Sequence, residues 1–235
     1  MLARTVRFTG RFGRACLDLL DGFAERQPAD RLPDDYRRIY QYHIPKTGGT
    51  SLNYMFLSLG GEDGRAVYQR LIHPDAPLRR TASGGKVFVG WDARLIEQGR
   101  YFYAFSHLPR HRLRLPARTF TVTCLRDPVR RVVSLYRELV KYRSWNADHP
   151  CRATTDAWLG ASFRDFLHNI PRHELLAQLA MFSPRLEVGE ALDGILACSF
   201  AFRTEDFAAG CAALGCRLHL PLTVLHARQS NHRVE

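Results

Sequence analysis

Apolar residues recur along this chain in two rhythms. Ile39 to Ile44, Lys86 to Trp91, Tyr101 to Phe105 and Thr119 to Leu125 are short runs rich in β-branched and aromatic side chains, the pattern of buried strands. Leu52, Met55, Phe56 and Leu59 recur at i, i+3, i+4 and i+7, a helix stripe that stops at Gly60-Gly61. Asp127-Pro128 starts another helix: Asp can cap free N–H groups, Pro suits the first turn, and Val129, Val132, Val133, Tyr136 and Val140 supply the core stripe. Pro171 to Phe182 reads as helical and Ile195 to Phe202 as a last strand. Thr204 then opens a helix ending near Gly215. Residues 61–100 read as loop-rich, punctuated by Pro74, Pro77 and Ser83-Gly84-Gly85, with the strand from Lys86 as their one regular piece. Strands alternating with helices at these spacings predict an α/β fold, a parallel central sheet flanked by helices on both faces.

Composition changes little in this picture. With 235 residues, 46% hydrophobic and 24% charged, the chain fits one domain with an extension, and disordered or fibrous classes are excluded. Residues 1–35 stand apart as a basic N-terminal extension, leaving 36–235 as the domain. In the extension Arg4, Arg7, Arg11 and Arg14 interleave with Val6, Phe8, Phe12 and Leu17. That pattern suits a surface helix packed on its own domain, and also a peripheral membrane contact. No apolar run has the length of a membrane span, and the first 26 residues lack the apolar core of a secretory signal, so the cytoplasm is the expected location.

The six cysteines form no Cys-x-x-Cys pair, and Cys124 and Cys198 lie in apolar strand-like runs, as buried thiols in a reducing compartment would. Cys211, Cys216 and His219 match no standard zinc spacing, and no metal is expected. A formal charge of +11 calls for an anionic partner. Nucleic acid is disfavoured, because no DNA- or RNA-binding module is recognisable and the aromatic residues fall in core stripes.

The chemistry concentrates in His43-Ile44-Pro45-Lys46-Thr47-Gly48-Gly49-Thr50-Ser51, between a strand and a helix. Glycines let backbone N–H groups approach an anion, and the helix N-terminus adds a favourable dipole. Lys46, Thr47, Thr50 and Ser51 can add charge and hydroxyls around the same oxygens, so a phosphate-sized group is the natural occupant. Nucleoside triphosphate loops read G-x-x-x-x-G-K-[ST], with the lysine after the glycines. Lys46 precedes Gly48 and Gly49, which disfavours a phosphotransferase of that type. A second block runs from Thr123 to Tyr136. Arg126 leaves the carboxyl end of a strand, where open α/β sheets bind ligands. Ser134 lies about 160° from the middle of the apolar stripe, at about 100° per residue, and so faces a ligand rather than the core. A guanidinium and a hydroxyl converging on one phosphate make a sensible pair.

Both blocks resemble the 5′-phosphosulfate loop and the 3′-phosphate motif of sulfotransferases that use 3′-phosphoadenosine 5′-phosphosulfate (PAPS). The resemblance is to the family that includes heparan and uronyl 2-O-sulfotransferases and small bacterial relatives, and it spans roughly residues 39–215. It implies a P-loop nucleotide-kinase-like sulfotransferase fold, PAPS as donor, and a hydroxyl acceptor, expected on a carbohydrate. It also implies cofactor contacts from Lys46, Thr47, Gly48, Gly49, Thr50, Ser51, Arg126 and Ser134. A strand-end histidine makes a good general base near neutral pH. The family has one between the two phosphate motifs, which assigns that role to His107, with Lys46 stabilising charge on the leaving phosphate. Two departures stand out: Ser106 precedes the histidine where many relatives have glycine, and a second histidine of the heparan enzymes has no clear counterpart. The stretch Phe200 to Phe207 resembles a later joint that completes the nucleotide pocket. Arg203 and Thr204 are thus candidates for cofactor contact, and equally for a surface ion pair and a helix cap. The acceptor side is expected from residues 61–100 and 141–170. The competing classes are a non-catalytic nucleotide- or nucleic-acid-binding α/β protein and a phosphotransferase.

Overall fold

The computed structural model describes residues 32–73, 79–145 and 152–225. The expectations for residues 1–31, and for Cys16 and Cys151, lie outside the described residues. The strands are β1 (Arg38–Tyr42), β2 (Arg80–Ser83), β3 (Lys86–Gly90), β4 (Tyr103–Ser106), β5 (Thr119–Leu125) and β6 (Phe200–Arg203). The helices are α1 (Gly49–Ser58), α2 (Gly64–Ile72), α3 (Ala93–Gln98), α4 (Pro128–Trp145), α5 (Arg152–Leu159), α6 (Phe163–Asn169), α7 (Arg172–Leu175), α8 (Ala177–Phe182), α9 (Val188–Leu196) and α10 (Phe207–Leu218). The strands form one sheet in the order β2-β3-β4-β1-β5-β6, parallel throughout except for β2 on β3.

Alternation along β1 sends Ile39 to one face and Tyr40 and Tyr42 to the other, and both faces are covered. On the first, α1, α2 and α10 bury Leu52, Phe56, Leu71 and Leu214 against Tyr103 and Phe105. On the second, α3, α8 and α9 bury Ile96, Phe182 and Ala191 against Val87 and Val89. A smaller core of Val132, Leu135, Leu139, Leu159, Phe166 and Ile170 joins α4 to α5 and α6. The chain leaves β1 toward β2 and β3 but leaves β5 toward β6, on opposite sides. The adjacent carboxyl ends of β1 and β5 therefore flank a crevice at a topological switch point. Among the described residues no helix is long and apolar enough to cross a membrane.

The expected fold class and the strand at Thr119–Leu125 are found as read, and several other boundaries differ. The first strand stops at Tyr42, leaving His43 and Ile44 in the loop. Residues 61–100 hold more regular structure than expected. Asp63 caps α2 by accepting from Arg65 N at 3.0 Å, and Asp92 caps α3 by accepting from Leu95 N at 2.9 Å. The polar edge strand β2 pairs with β3 through a hairpin turn at Gly84 and Gly85, whose φ values are +53° and +76°. Pro171–Phe182 divides into α7 and α8 at Leu176. The expected strand from Ile195 begins only at Phe200, because Ile195 and Leu196 close α9 and Cys198 sits in the following turn. This helix hides small residues, Ala191 and Gly194, and exposes Val188, Leu192 and Leu196, the reverse of an ordinary stripe. On α4, Val129 is 71% exposed, and Leu135 and Leu139 take the core positions instead.

Arg131 ties this frame together from the first turns of α4. It is almost fully buried. Its Nη2 donates to the carbonyls of Glu174 (2.6 Å) and Leu175 (2.9 Å) at the end of α7, and its Nη1 reaches Pro45 O at 3.5 Å. Replacing it with Met would keep the bulk and leave those carbonyls without a donor. Arg131→Met is expected to cost about 3 kcal/mol, the scale for stranding buried polar groups. Urea denaturation is the check, and an unchanged midpoint would show the carbonyls to be solvated.

Candidate active site

The loop from β1 to α1 is held by the protein's own hydrogen bonds. Lys46 and Gly48 take left-handed backbone with φ of +70° and +84°. A Cβ at Gly49 would lie 2.1 Å from His43 Cδ2, so only glycine lets α1 begin against that ring. The Thr47 hydroxyl donates to Ile44 O at 2.9 Å, so it closes the loop and does not project from it. The Thr204 hydroxyl lies 2.7 Å from Thr47 O and 2.9 Å from Leu125 O, bracing the loop from the end of β6. Thr50 and Ser51 occupy the first turn of α1, half-buried. First-turn N–H groups have no acceptor within their helix, and they bring the positive end of its dipole to the crevice.

Lys46 Nζ pairs with Glu138 Oε1 of α4 at 2.9 Å. Arg126 Nη1 donates to Lys46 O at 3.3 Å. Gln178 of α8 grips the Arg126 backbone at both ends, accepting from its N–H at 2.8 Å and donating to its carbonyl at 2.9 Å. Asp127 caps α4 by accepting from Arg130 N at 2.8 Å, as expected. Ser134 is half-buried on α4, within about 60° of Arg131 and Glu138 around the helix and about 100° and 140° from Leu135 and Leu139. Lys46 and Arg126 thus meet beside the carboxyl ends of β1 and β5, and Ser134 lies one turn before Glu138 on α4. Arg203 does not join them: it is 67% exposed and paired with Asp206 at 3.3 Å.

His107 stands one residue beyond β4. Its Nδ1 lies 2.5 Å from the carbonyl of His43. A carbonyl only accepts, so Nδ1 carries the proton and the neutral ring keeps its lone pair on Nε2. The imidazole sits between the rings of His43 (4.5 Å between centroids) and Trp91 (5.7 Å), while the residue as a whole remains open to solvent. Desolvation of the ring lowers its pKa below the ordinary value, opposed by the bond to His43 and by the charges of Glu174 and Glu138. Ser106, fully buried, bonds the Tyr40 hydroxyl at 2.7 Å and accepts from Leu108 N at 3.1 Å, closing the turn that presents His107.

Sequence reasoning took His43 only as the first loop residue. In the structure it is buried, with its ring against that of His107. Asn53 Nδ2 lies 3.3 Å from His43 Nδ1. The Tyr103 hydroxyl lies between Asn53 Oδ1 (2.6 Å) and Gln41 Oε1, and Gln41 Nε2 donates to Gly49 O at 3.3 Å. Four buried polar side chains from β1, the loop after it, β4 and α1 thus form one network. Burial, and then the nearby His107 and Lys46, hold His43 well below the usual histidine pKa. Gln178 and Glu138 were also missed. Glu138 had a signal, its place one turn after Ser134 on the same face of α4.

The sulfotransferase family profile matches residues 32–184, about two thirds of the chain, including the loop, His107, Arg126 and Ser134. This chain belongs to the sulfotransferase family. Comparison with curated proteins and with solved structures gave no match. The matched span ends before β6, so Arg203 and Thr204 lie outside it. Among the described residues of this sulfotransferase, no group of three or more His, Cys, Asp or Glu side chains is placed to hold a metal ion.

The His43 environment has a consequence for stability. Above about pH 6.5 the histidine is neutral in both folded and unfolded chains, and its contribution is complete. As pH falls below that value the unfolded chain binds a proton that the fold refuses. Stability then drops by up to about 1.4 kcal/mol per pH unit, and His107 adds to the loss in the same direction. Urea midpoints should fall between pH 7.5 and pH 5.5, and His43→Gln should fall less. Equal slopes in both proteins would mean that His43 is protonated inside the fold.

Proposed function

We propose that this sulfotransferase moves a sulfuryl group from PAPS to a hydroxyl of a carbohydrate, in the cytoplasm, with His107 as general base. One observation carries the reading: Lys46 and the first turn of α1, Arg126, and an uncharged His107 meet around the carboxyl ends of β1, β4 and β5. The donor set suits a doubly phosphorylated nucleotide, since two cationic side chains and helix-end amides face one crevice. When bound, the donor supplies a sulfuryl group on a phosphate leaving group. Arg126 and Ser134 hold the 3′-phosphate. The amides from Gly48 to Ser51 and the Lys46 ammonium hold the 5′ end and stabilise charge on the departing phosphate. Thr47 and Thr204 keep the loop in shape through their internal hydrogen bonds. His107 Nε2 accepts the acceptor's hydroxyl proton, and the His43 carbonyl on Nδ1 stabilises the imidazolium that results.

Thermal unfolding with nucleotides tests the donor. Adenosine 3′,5′-bisphosphate should raise Tm, while ATP and an oligonucleotide should not, because only a ligand of the native state adds stability. Adenosine 5′-phosphate should bind more weakly, and Arg126→Ala should erase most of the bisphosphate preference. Equal binding of both adenosine ligands by wild type would remove Arg126 from the 3′-phosphate site.

The pH profile tests the base. His107→Ala should lower transfer to a glycan panel by about 10²–10⁴, the usual worth of a general base, with cofactor affinity nearly intact. Because crowding lowers the His107 pKa, the acidic limb of kcat/KM should lie below about pH 6.5. His107→Gln should lose that limb. A folded variant with near wild-type turnover would send the search for a base to a carboxylate.

A further inference from the structure

A carboxylate is an odd lining for a crevice that receives anions. Glu138 nonetheless points inward from α4, with Oε1 2.9 Å from Lys46 Nζ, and the two side chains keep only 18% and 17% of their exposure. The contact joins the loop after β1 to the helix after β5 across 92 residues of sequence. The Lys46 backbone is fixed separately, by its left-handed φ of +70° and by the Arg126 hydrogen bond to its carbonyl. The ion pair is therefore not what shapes the loop. What it bears on is the direction of the ammonium. An anion arriving at the loop must draw Lys46 away from Glu138 and then lie beside that carboxylate.

We propose that Glu138 is the exchangeable counter-ion of Lys46: it holds the ammonium in the empty enzyme, yields it to the 5′-phosphate end of the donor, and reclaims it as the spent nucleotide leaves. This rests on the donor reading above. Glu138 is then a positioning residue, touching neither acceptor nor transferred group. It tempers the grip of the loop, so that a ligand held at the loop alone binds weakly and one also held at Arg126 and Ser134 is retained. Its charge reaches further. His107 is faced by the rings of His43 and Trp91 and by the carboxylates of Glu174 and Glu138, and both carboxylates favour the protonated imidazole.

The test is calorimetric titration of wild type and Glu138→Gln with adenosine 3′,5′-bisphosphate and adenosine 5′-phosphate. The variant should bind both about tenfold more tightly, with the ratio between the ligands unchanged, because both present the same 5′-phosphate to Lys46. Glu138→Asp, which keeps the charge, should stay closer to wild type. The acidic limb of kcat/KM should move to lower pH in Glu138→Gln. A purely structural pair predicts the opposite sign: Lys46 would lose its support and both ligands would bind more weakly. Weaker or unchanged binding in a folded Glu138→Gln protein overturns the inference while leaving the donor reading intact, and Glu138→Ala serves the same comparison if Gln is not tolerated. Wild-type protein that binds neither ligand overturns the donor reading, and this inference with it.

Discussion

Everything at the site depends on the register of β1 between its two neighbours. Tyr42 pairs with Ser106 on one side and with Thr123 on the other, and His43 N donates to Ser106 O at 3.0 Å just beyond the ladder. Three strands therefore end at nearly the same height. The residues that follow them, His43, His107 and Arg126, are delivered to one place without any local motif linking them. A slip of one residue would turn Ile39 and Tyr40 to the wrong faces and take His43 out from under α1. The buried faces of the sheet forbid that slip, so hydrophobic packing well below the crevice fixes the chemistry above it.

Two histidines stand in contact at this edge, and their surroundings push them apart. His43 is sealed beneath the first turn of α1, with Lys46 and His107 as its titratable neighbours, and burial and both neighbours oppose its protonation. His107 shares the desolvation but sees Glu174, Glu138 and the His43 carbonyl, which favour the proton. One ring suits a permanent structural role and the other a reversible proton transfer, a division set by environment rather than residue type.

How much of this was legible in the sequence depended on the range of the interaction. Gly48-Gly49 before a helix stripe, Asp127-Pro128 at a helix start and the apolar run Thr119–Leu125 are local patterns, and each marks its element correctly. Ser134 still lies off the apolar stripe although Val129 is exposed and Leu135 and Leu139 take the core positions. The structure around residues 195–202 was misread because α9 buries small residues, so apolarity no longer marks its inner face. The pairings of Gln178 with Arg126, His107 with His43 and Glu138 with Lys46 span 52, 64 and 92 residues. No spacing rule reaches that far, since such contacts exist only once the sheet has set its register.

The division of labour in the loop follows from the same frame. Side-chain hydroxyls that could have served as ligands are partly committed inward, with Thr47 on Ile44 and Thr204 on Thr47 and Leu125. On the proposed reading, that leaves the donor to be held by groups needing little adjustment: main-chain amides at the start of α1, a lysine whose backbone is already pinned, and an arginine whose peptide is clamped by Gln178. Such a site is organised before its ligand arrives, which lowers the cost of ordering on binding. Lys46 is the exception, because its ammonium has a carboxylate to leave. On the exchange proposed above, the Lys46–Glu138 pair is where binding and release are balanced.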